Sequence, residues 1–193
     1  MIVKNVSFLK SVKDLSGYTN DKLPEIAISG KSNVGKSSLI NFISRNSKLA
    51  YTSKKPGKTR LINFFDFNGA FYLVDLPGYG FSRAPKEEKN SWQEMVENYL
   101  RESGQLKLIL LLLDIRHDPT EEDLQMLRWA DYYAIPCAVI ATKADKIAKS
   151  KRKNNLAHIK KLIGLGDPDM AAVSVLDGIG REEVLTIMEK YLQ

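Results

Sequence analysis

The stretch Gly30-Lys-Ser-Asn-Val-Gly-Lys-Ser37 decides the fold of this chain. It follows the short apolar run Glu25–Ser29, which predicts a buried strand, and it leads into Lys36–Ile43, which predicts a helix. Glycines, a lysine and a serine in this spacing are typical of a phosphate-binding loop between a strand and a helix. The N–H groups of such a loop point inward and form an anion site. The sequence therefore predicts that this loop holds the phosphates of a nucleotide.

Two side chains of the loop have expected partners. Lys36 is expected to place its charge against the β- and γ-phosphates, and the hydroxyl of Ser37 is expected to ligate Mg²⁺. A glycine-rich turn formed by chance is the alternative, and the flanking strand and helix argue against it.

The composition is that of one globular domain. The chain has 193 residues, of which 44% are hydrophobic and 27% charged, so it can bury a substantial core. Its single cysteine, Cys137, excludes an intrachain disulfide. The longest apolar run, Leu108–Leu113, is too short to span a bilayer, and the N-terminus lacks a signal-peptide pattern. We expect a cytoplasmic monomer that binds neither membrane nor DNA.

Apolar runs alternate with amphipathic segments, which indicates an α/β domain with a mostly parallel sheet. Six runs predict strands: Glu25–Ser29, Leu61–Phe67, Phe71–Asp75, Leu108–Leu113, Cys137–Ala141 and Met170–Val173. Asn68-Gly69 favours a tight turn, so the second and third runs are expected to form an antiparallel hairpin. About five helices should flank the sheet. We expect a single domain over residues 1–193, with 1–23 as an N-terminal extension; Val3–Leu9 fits an edge strand or an appended arm.

A second motif, Asp75-Leu-Pro-Gly78, follows the run Phe71–Asp75. A carboxylate here can reach Mg²⁺ through water, and Gly78 offers a backbone N–H where a γ-phosphate would lie. By itself the string is equally typical of a turn. Its position after a phosphate loop favours the functional interpretation.

A third motif, Thr142-Lys-Ala-Asp145, indicates the base. The carboxylate of Asp145 can accept hydrogen bonds from N1–H and the exocyclic amine of guanine, whereas adenine has no such pair of donors. The aliphatic stem of Lys143 can lie across the purine. Ligands of open parallel sheets bind beyond the carboxyl ends of the strands, which all three motifs follow.

These motifs resemble those of translation-factor-class GTPases, in the TrmE-Era-EngA-EngB-Septin-like class, and more closely those of the EngB (YihA/YsxC) family. The residues that carry the resemblance are Gly30–Asn41, Pro56-Gly-Lys-Thr-Arg60, Asp75-Leu-Pro-Gly-Tyr-Gly-Phe81 and Thr142–Asp145. It extends from about Ile26 to the C-terminus. The resemblance implies a Ras-like P-loop GTPase domain that hydrolyses GTP to GDP with Mg²⁺. It also implies a role in assembling the large ribosomal subunit or its precursor, and a requirement for the protein in normal cell division and septation.

Carried over residue by residue, the resemblance makes Thr59 the switch threonine, which joins Ser37 on Mg²⁺ when a γ-phosphate is present. It also implies that Ser174-Val-Leu176 completes the base pocket. The metal ligands are then Ser37, Thr59 and Asp75, and the catalytic residues are Lys36, Thr59 and Asn33. The whole nucleotide site comprises Gly30, Lys31, Ser32, Asn33, Val34, Gly35, Lys36, Ser37, Ser38, Gly57, Lys58, Thr59, Arg60, Leu61, Asp75, Leu76, Pro77, Gly78, Thr142, Lys143, Ala144, Asp145, Ser174, Val175 and Leu176.

The sequence departs from the wider pattern at three positions. Thr142 replaces the usual asparagine, so we expect looser bracing of the phosphate loop. Val175 stands where such loops often carry alanine. Tyr79 stands where Ras-type enzymes place the glutamine that orients the attacking water, so intrinsic hydrolysis is expected to be slow.

Two explanations of Asn33 stay open. It resembles the asparagine with which potassium-dependent GTPases hold K⁺ against the phosphates, in place of an arginine finger. Alternatively, asparagine is simply tolerated in a turn. Activation by the ribosomal partner is compatible with either.

The formal charge of +6 favours a polyanionic partner without identifying it. Lys54, Lys55, Lys58 and Arg60 crowd the expected switch loop, and six more cations follow the base motif between Lys143 and Lys153. Both groups are either solvated faces or RNA contacts, and we hypothesise that Lys54–Arg60 helps to bind rRNA. A small-molecule kinase is disfavoured, since no acceptor site or lid is found. A scaffold that binds GTP without hydrolysing it remains the alternative function.

Overall fold

The computed structural model describes residues 1–13, 22–50, 61–80, 86–164 and 166–193. Within these ranges the chain forms seven strands and five helices. The strands are β1 (Val6–Val12), β2 (Glu25–Gly30), β3 (Ile62–Phe67), β4 (Phe71–Asp75), β5 (Leu106–Asp114), β6 (Cys137–Thr142) and β7 (Met170–Ala172). The helices are α1 (Lys36–Ser44), α2 (Lys86–Glu102), α3 (Glu121–Tyr132), α4 (Lys149–Ile163) and α5 (Arg181–Leu192).

All seven strands form one sheet in the order β1-β3-β4-β2-β5-β6-β7. β3 is antiparallel to both of its neighbours, and the remaining pairs are parallel. The mostly parallel α/β sheet with one antiparallel strand is therefore confirmed. The hairpin is confirmed as well, because Asn68 and Gly69 both have a φ of 63° between β3 and β4.

The strand count is seven instead of six because residues 6–12 form an edge strand. Val6 pairs with Phe67 and Val12 with Ile62, so this segment extends the sheet of the domain beyond β3. Of β1 only Val12 is buried, which explains why its apolar pattern did not distinguish a strand from an arm.

The core has two layers because successive residues of the central strands face opposite sides of the sheet. In β2, Ile26 and Ile28 pack with residues of α1 and α5, whereas Ala27 packs on the side of α2 and α3. The amino-acid sequence of a strand that is buried on both faces is a nearly continuous apolar run. This is why the central strands could be recognised from the sequence. None of the helices in the described ranges has the length and apolarity that a membrane crossing requires.

One side chain ties α1 to the opposite end of the chain. Arg181, at the start of α5, donates hydrogen bonds to the carbonyls of Phe42 and Ile43 at 3.1 and 2.6 Å. Cations near a helix C-terminus interact favourably with the helix dipole. The helix that begins within the phosphate loop is thereby held at its far end.

Candidate functional site

The sheet brings the three sequence motifs to one edge. The loop Gly30–Ser37 leaves the end of β2, Asp75 ends the adjacent β4, and Thr142 ends β6. Ile28 pairs with Asp75, and Asp114 at the end of β5 pairs with Thr142. Because these strands are parallel, their carboxyl ends meet, as the sequence pattern predicts.

The phosphate loop depends on backbone conformations that few residues adopt. Gly30, Asn33 and Gly35 have φ values of 152°, 64° and 117°. A Cβ atom at Gly30 would lie 2.8 Å from the carbonyl oxygen of Leu112, so only glycine fits there. The left-handed conformation of Asn33 gives a backbone reason for asparagine, independent of any ion. α1 carries no acidic residue in its first turn, which leaves its N-terminus free for an anion.

A lysine, a carboxylate and a glycine meet beside this loop. Nζ of Lys36 lies 3.8 Å from Oδ1 of Asp75. A Cβ atom on Gly78 would lie 3.0 Å from the same Nζ and 3.2 Å from the amide nitrogen of Ser32. The second motif therefore rests directly on the phosphate loop, where the sequence expects a γ-phosphate.

The carboxylate of Asp75 has the properties of a candidate metal ligand. It is buried, and its Oδ1 has no hydrogen-bond partner among the described residues. Burial raises the pKa of Asp75, and the charge of Lys36 and a hydrogen bond from Asn63 offset this only in part. Such an oxygen, beside Lys36 of the phosphate loop, fits Mg²⁺, which binds to one or two carboxylates together with phosphate oxygens and water. Within the described ranges no group of three or more His, Cys, Asp or Glu side chains is placed to hold a metal.

Thr142 corrects one expectation from the sequence. Its hydroxyl Oγ1 lies 2.7 Å from the carbonyl of Val34 and 3.1 Å from that of Leu113. The expected loosening of the brace on the phosphate loop is therefore wrong. The end of β6 lies close enough to Val34 for a threonine to span the distance.

The base motif and the loop after β7 are joined through Asp145. Ser174 is fully buried, and its hydroxyl lies 3.2 Å from Oδ1 of Asp145, while Lys146 lies 3.1 Å from Oδ2. Burial alone would raise the pKa of Asp145, but the hydrogen bonds from Lys146 and Ser174 lower it below its usual value. Asp145 is thus a charged acceptor at the expected guanine position. Val175 and Leu176 lie at the rim, the latter 78% exposed.

One acidic residue of this region escaped the sequence analysis. Asp114 ends β5, and its carboxylate lies 3.1 Å from Nζ of Lys143 and 2.7 Å from Arg116. Burial raises its pKa, but the hydrogen bonds from Arg116 and Lys143 outweigh this and hold the pKa well below the usual value. Asp114 therefore anchors the lysine that is expected to cover the base. The available signal was its position, since it ends a buried strand just as Asp75 does.

The side chain of Tyr79 is buried against α2 and α3. It is 2% exposed, its hydroxyl donates a 2.5 Å hydrogen bond to Asp123, and its ring packs edge-to-face against Trp92. Trp92 in turn donates to the carbonyl of Pro77 at 2.7 Å. Asp123, in the first turn of α3, also accepts hydrogen bonds from the amide and hydroxyl of Thr120. Tyr79 therefore anchors the second motif to α2 and α3.

Four predicted nucleotide contacts, Gly57, Lys58, Thr59 and Arg60, lie outside the described residues, as do Lys54 and Lys55. Leu61, which precedes β3, is exposed. A cleft of about 940 Å³ adjoins the described part of the site and reaches from Ser38 and Val175 to the start of α5.

Comparisons with known proteins agree with this geometry. The sequence model of a family described as 50S ribosome-binding GTPases matches residues 25–143. The probable GTP-binding protein EngB of Pelotomaculum thermopropionicum is 45% identical over 193 residues, which cover 100% of this chain and 98% of that protein.

Two solved structures share the fold. A crystal structure of a probable GTP-binding protein EngB superposes with a TM-score of 0.69 at 24% identity, covering 87% of this chain and 98% of the other. Era in complex with MgGDPNP and a segment of 16S ribosomal RNA superposes with a TM-score of 0.67 at 25% identity, covering 88% of this chain and 57% of Era.

Proposed function

We propose that this chain, which belongs to the EngB family of GTP-binding proteins and is a GTPase, acts as a Mg²⁺-dependent switch in the assembly of the large ribosomal subunit. The proposal includes a requirement for normal cell division and septation, and a monomeric, cytoplasmic protein with one nucleotide-binding domain over residues 1–193. The observation that carries the nucleotide part is the meeting of Lys36, Asp75 and Gly78 at the phosphate loop.

In this proposal each described residue has one task. Backbone N–H groups of Gly30–Ser37 and the ammonium group of Lys36 hold the phosphates, and Asp145 accepts hydrogen bonds from guanine. Ser37 and Asp75 would hold Mg²⁺, and Thr59, outside the described residues, would complete the metal site. When bound, Mg²⁺ would supply neutralisation of phosphate charge during hydrolysis.

The hydroxyl of Tyr79 is hydrogen-bonded to Asp123 in the core, so a group other than Tyr79 has to take the place of the Ras-type glutamine. We propose K⁺ held by Asn33, together with activation by the ribosomal partner. The ion would compensate the charge that develops between the β- and γ-phosphates, as an arginine finger does. Turnover in K⁺ and Na⁺ at matched ionic strength tests the first part, and equal rates would reject it.

The ribosomal part of the proposal is supported by the family description and by the net charge of +6, which suits an RNA-rich partner. The experiment is co-sedimentation with large subunits and their precursors in the nucleotide-free, GDP and GTP states, combined with single-turnover hydrolysis with and without particles. We expect binding that depends on the nucleotide and faster hydrolysis on the particle. Absence of binding in all three states would reject the ribosomal function while leaving the GTPase intact.

A further inference from the structure

The outer face of α4 carries four exposed lysines, Lys149, Lys151, Lys153 and Lys161, which we call the α4 basic face. Other lysines of this region have carboxylate partners: Lys146 pairs with Asp145, and Lys160 with Asp167. No described side chain pairs with any lysine of the α4 basic face. α4 itself contains no acidic residue.

This charge arrangement opposes the stability of the helix. α3 and α5 both carry acidic residues in their first turn, which complement the helix dipole. α4 instead begins with lysines, its N-cap residue Ala148 makes no side-chain hydrogen bond, and Lys149 and Lys153 repel each other across one turn. Lys161 lies in the last turn, where a cation is favourable, but helix stability does not explain Lys149 and Lys153 in the first two turns. Local conflicts of this kind are expected at functional surfaces.

We propose that the α4 basic face binds the phosphate backbone of RNA, an inference that rests on the ribosomal function proposed above and names its contact surface. Lys149, Lys153 and Lys161 span about 18 Å along the helix axis, a length over which a nucleic-acid backbone presents successive phosphates. Ser150 and Asn154 are exposed beside them and offer the hydroxyl and amide groups that commonly accompany lysine on phosphates.

The burial pattern of α4 favours RNA over a lipid surface. Amphipathic membrane helices expose an apolar face to the acyl chains. In α4 that face is used internally, because Ile159 and Ile163 are buried in the core. Leu162 is the one large apolar side chain that α4 exposes within the described ranges.

The inner side of α4 holds the base motif. Arg152 donates to the carbonyl of Ala144 at 3.0 Å and lies 3.5 Å from Asp177, in the loop that follows Ser174. Asn155 donates to the carbonyl of Ile115 at 3.0 Å. RNA on the outer face of α4 and guanine at Asp145 would therefore be linked through α4, whose inner side contacts the base motif. If RNA binding changes the affinity for the guanine nucleotide, nucleotide binding changes the affinity for RNA by the same factor.

The test compares two double variants of equal charge. Lys149→Gln/Lys153→Gln removes two charges from the α4 basic face. Lys4→Gln/Lys107→Gln removes two exposed charges near the opposite edge of the sheet, where β1 and β5 begin. Binding is measured to whole large subunits and to protein-free large-subunit rRNA, at several salt concentrations and saturating nucleotide.

We expect the α4 variant to bind both targets about ten- to thirtyfold more weakly at physiological salt, with the slope of log K against log salt reduced by about 2. The control variant should bind like the wild type. The melting temperature of the α4 variant should equal or exceed that of the wild type, because repulsion is removed, so weak binding would not reflect unfolding.

Three outcomes would overturn the inference. The first is wild-type affinity and slope in the α4 variant, and the second is an equal loss in the control variant. The third is loss of subunit binding with unchanged binding to rRNA, which would identify a ribosomal protein as the contact. If the wild type itself bound no particle, the proposed ribosomal function would fail instead.

Discussion

Replacing Tyr79 with phenylalanine separates an anchoring role from a catalytic one. The change keeps the ring against Trp92 and removes the hydroxyl that donates to Asp123 at 2.5 Å. Both partners are buried, with exposures of 2% and 4%. A hydrogen bond to a charged group contributes about 1.5–3 kcal/mol, and its loss leaves one carboxylate oxygen unpaired in the core. We therefore expect Tyr79→Phe to lower the free energy of unfolding by about 2 kcal/mol, or the melting temperature by about 4–8 °C.

The same variant should leave hydrolysis nearly unchanged, because the hydroxyl is buried and already donates its hydrogen bond to Asp123. Single-turnover GTP hydrolysis at saturating Mg²⁺, measured well below the melting temperature, should stay within about twofold of the wild type. Loss of a water-orienting group would cost about a hundredfold or more. A large drop in rate with an unchanged melting temperature would refute the anchoring role.

Two controls make the assignment specific. A double-mutant cycle of Tyr79→Phe with Asp123→Asn measures the coupling between the two side chains, which should be about 1 kcal/mol or more. The second control is pH. Burial and the neighbouring Asp123 raise the pKa of Tyr79 well above 10, so its stabilising contribution is present below pH ~10 and is lost as the pH rises further. The wild type should therefore lose stability in strong alkali more steeply than Tyr79→Phe.

Three further substitutions test the nucleotide site. Asp75→Asn should leave the nucleotide-free protein as stable or more stable at neutral pH, because the raised pKa shows that the ionised carboxyl is disfavoured by burial. It should weaken Mg²⁺-dependent GTP binding by about tenfold or more in calorimetry, and unchanged Mg²⁺ dependence would contradict the metal assignment. Asn33→Gly keeps the positive φ of 64° accessible and removes the side chain with its amide, so it should abolish stimulation by K⁺ while GDP affinity stays within about threefold. Stimulation that survives in Asn33→Gly would leave asparagine as a turn residue only. Asp145→Asn should lose GTP and gain xanthosine triphosphate, because the amide can donate to the new carbonyl. Retained preference for GTP in competition binding would show that the base is recognised elsewhere.

The sequence predicted the features that depend on local pattern. Apolar runs located six of the seven strands, β2 to β7, Asn68-Gly69 located the hairpin, and the rule for parallel strands placed the three motifs at one edge. Each of these follows from residues that are close in the chain or from a general property of parallel sheets.

What the sequence missed depends on contacts between distant segments. β1 is a strand because β3 offers it an open edge, and its own burial pattern hardly shows this. Thr142 braces the phosphate loop because it lies close to Val34 in space. The two residues are 108 positions apart in the chain. Asp114 and Asp123 acquire their roles from Lys143 and Tyr79, and no spacing rule connects either pair.

The aromatic anchor behind the second motif also gives this protein a built-in optical probe. Its two tryptophans, Trp92 and Trp129, lie with ring centroids 6.2 Å apart, and the indole N–H of Trp92 donates to the carbonyl of Pro77, next to Gly78. Indole emission responds to its hydrogen bonds and polarity. Exchange of GDP for a non-hydrolysable GTP analogue should therefore change the intrinsic fluorescence without any label. The fluorescence change should persist in Trp129→Phe and disappear in Trp92→Phe. The emission of Trp92 would then report nucleotide exchange in real time.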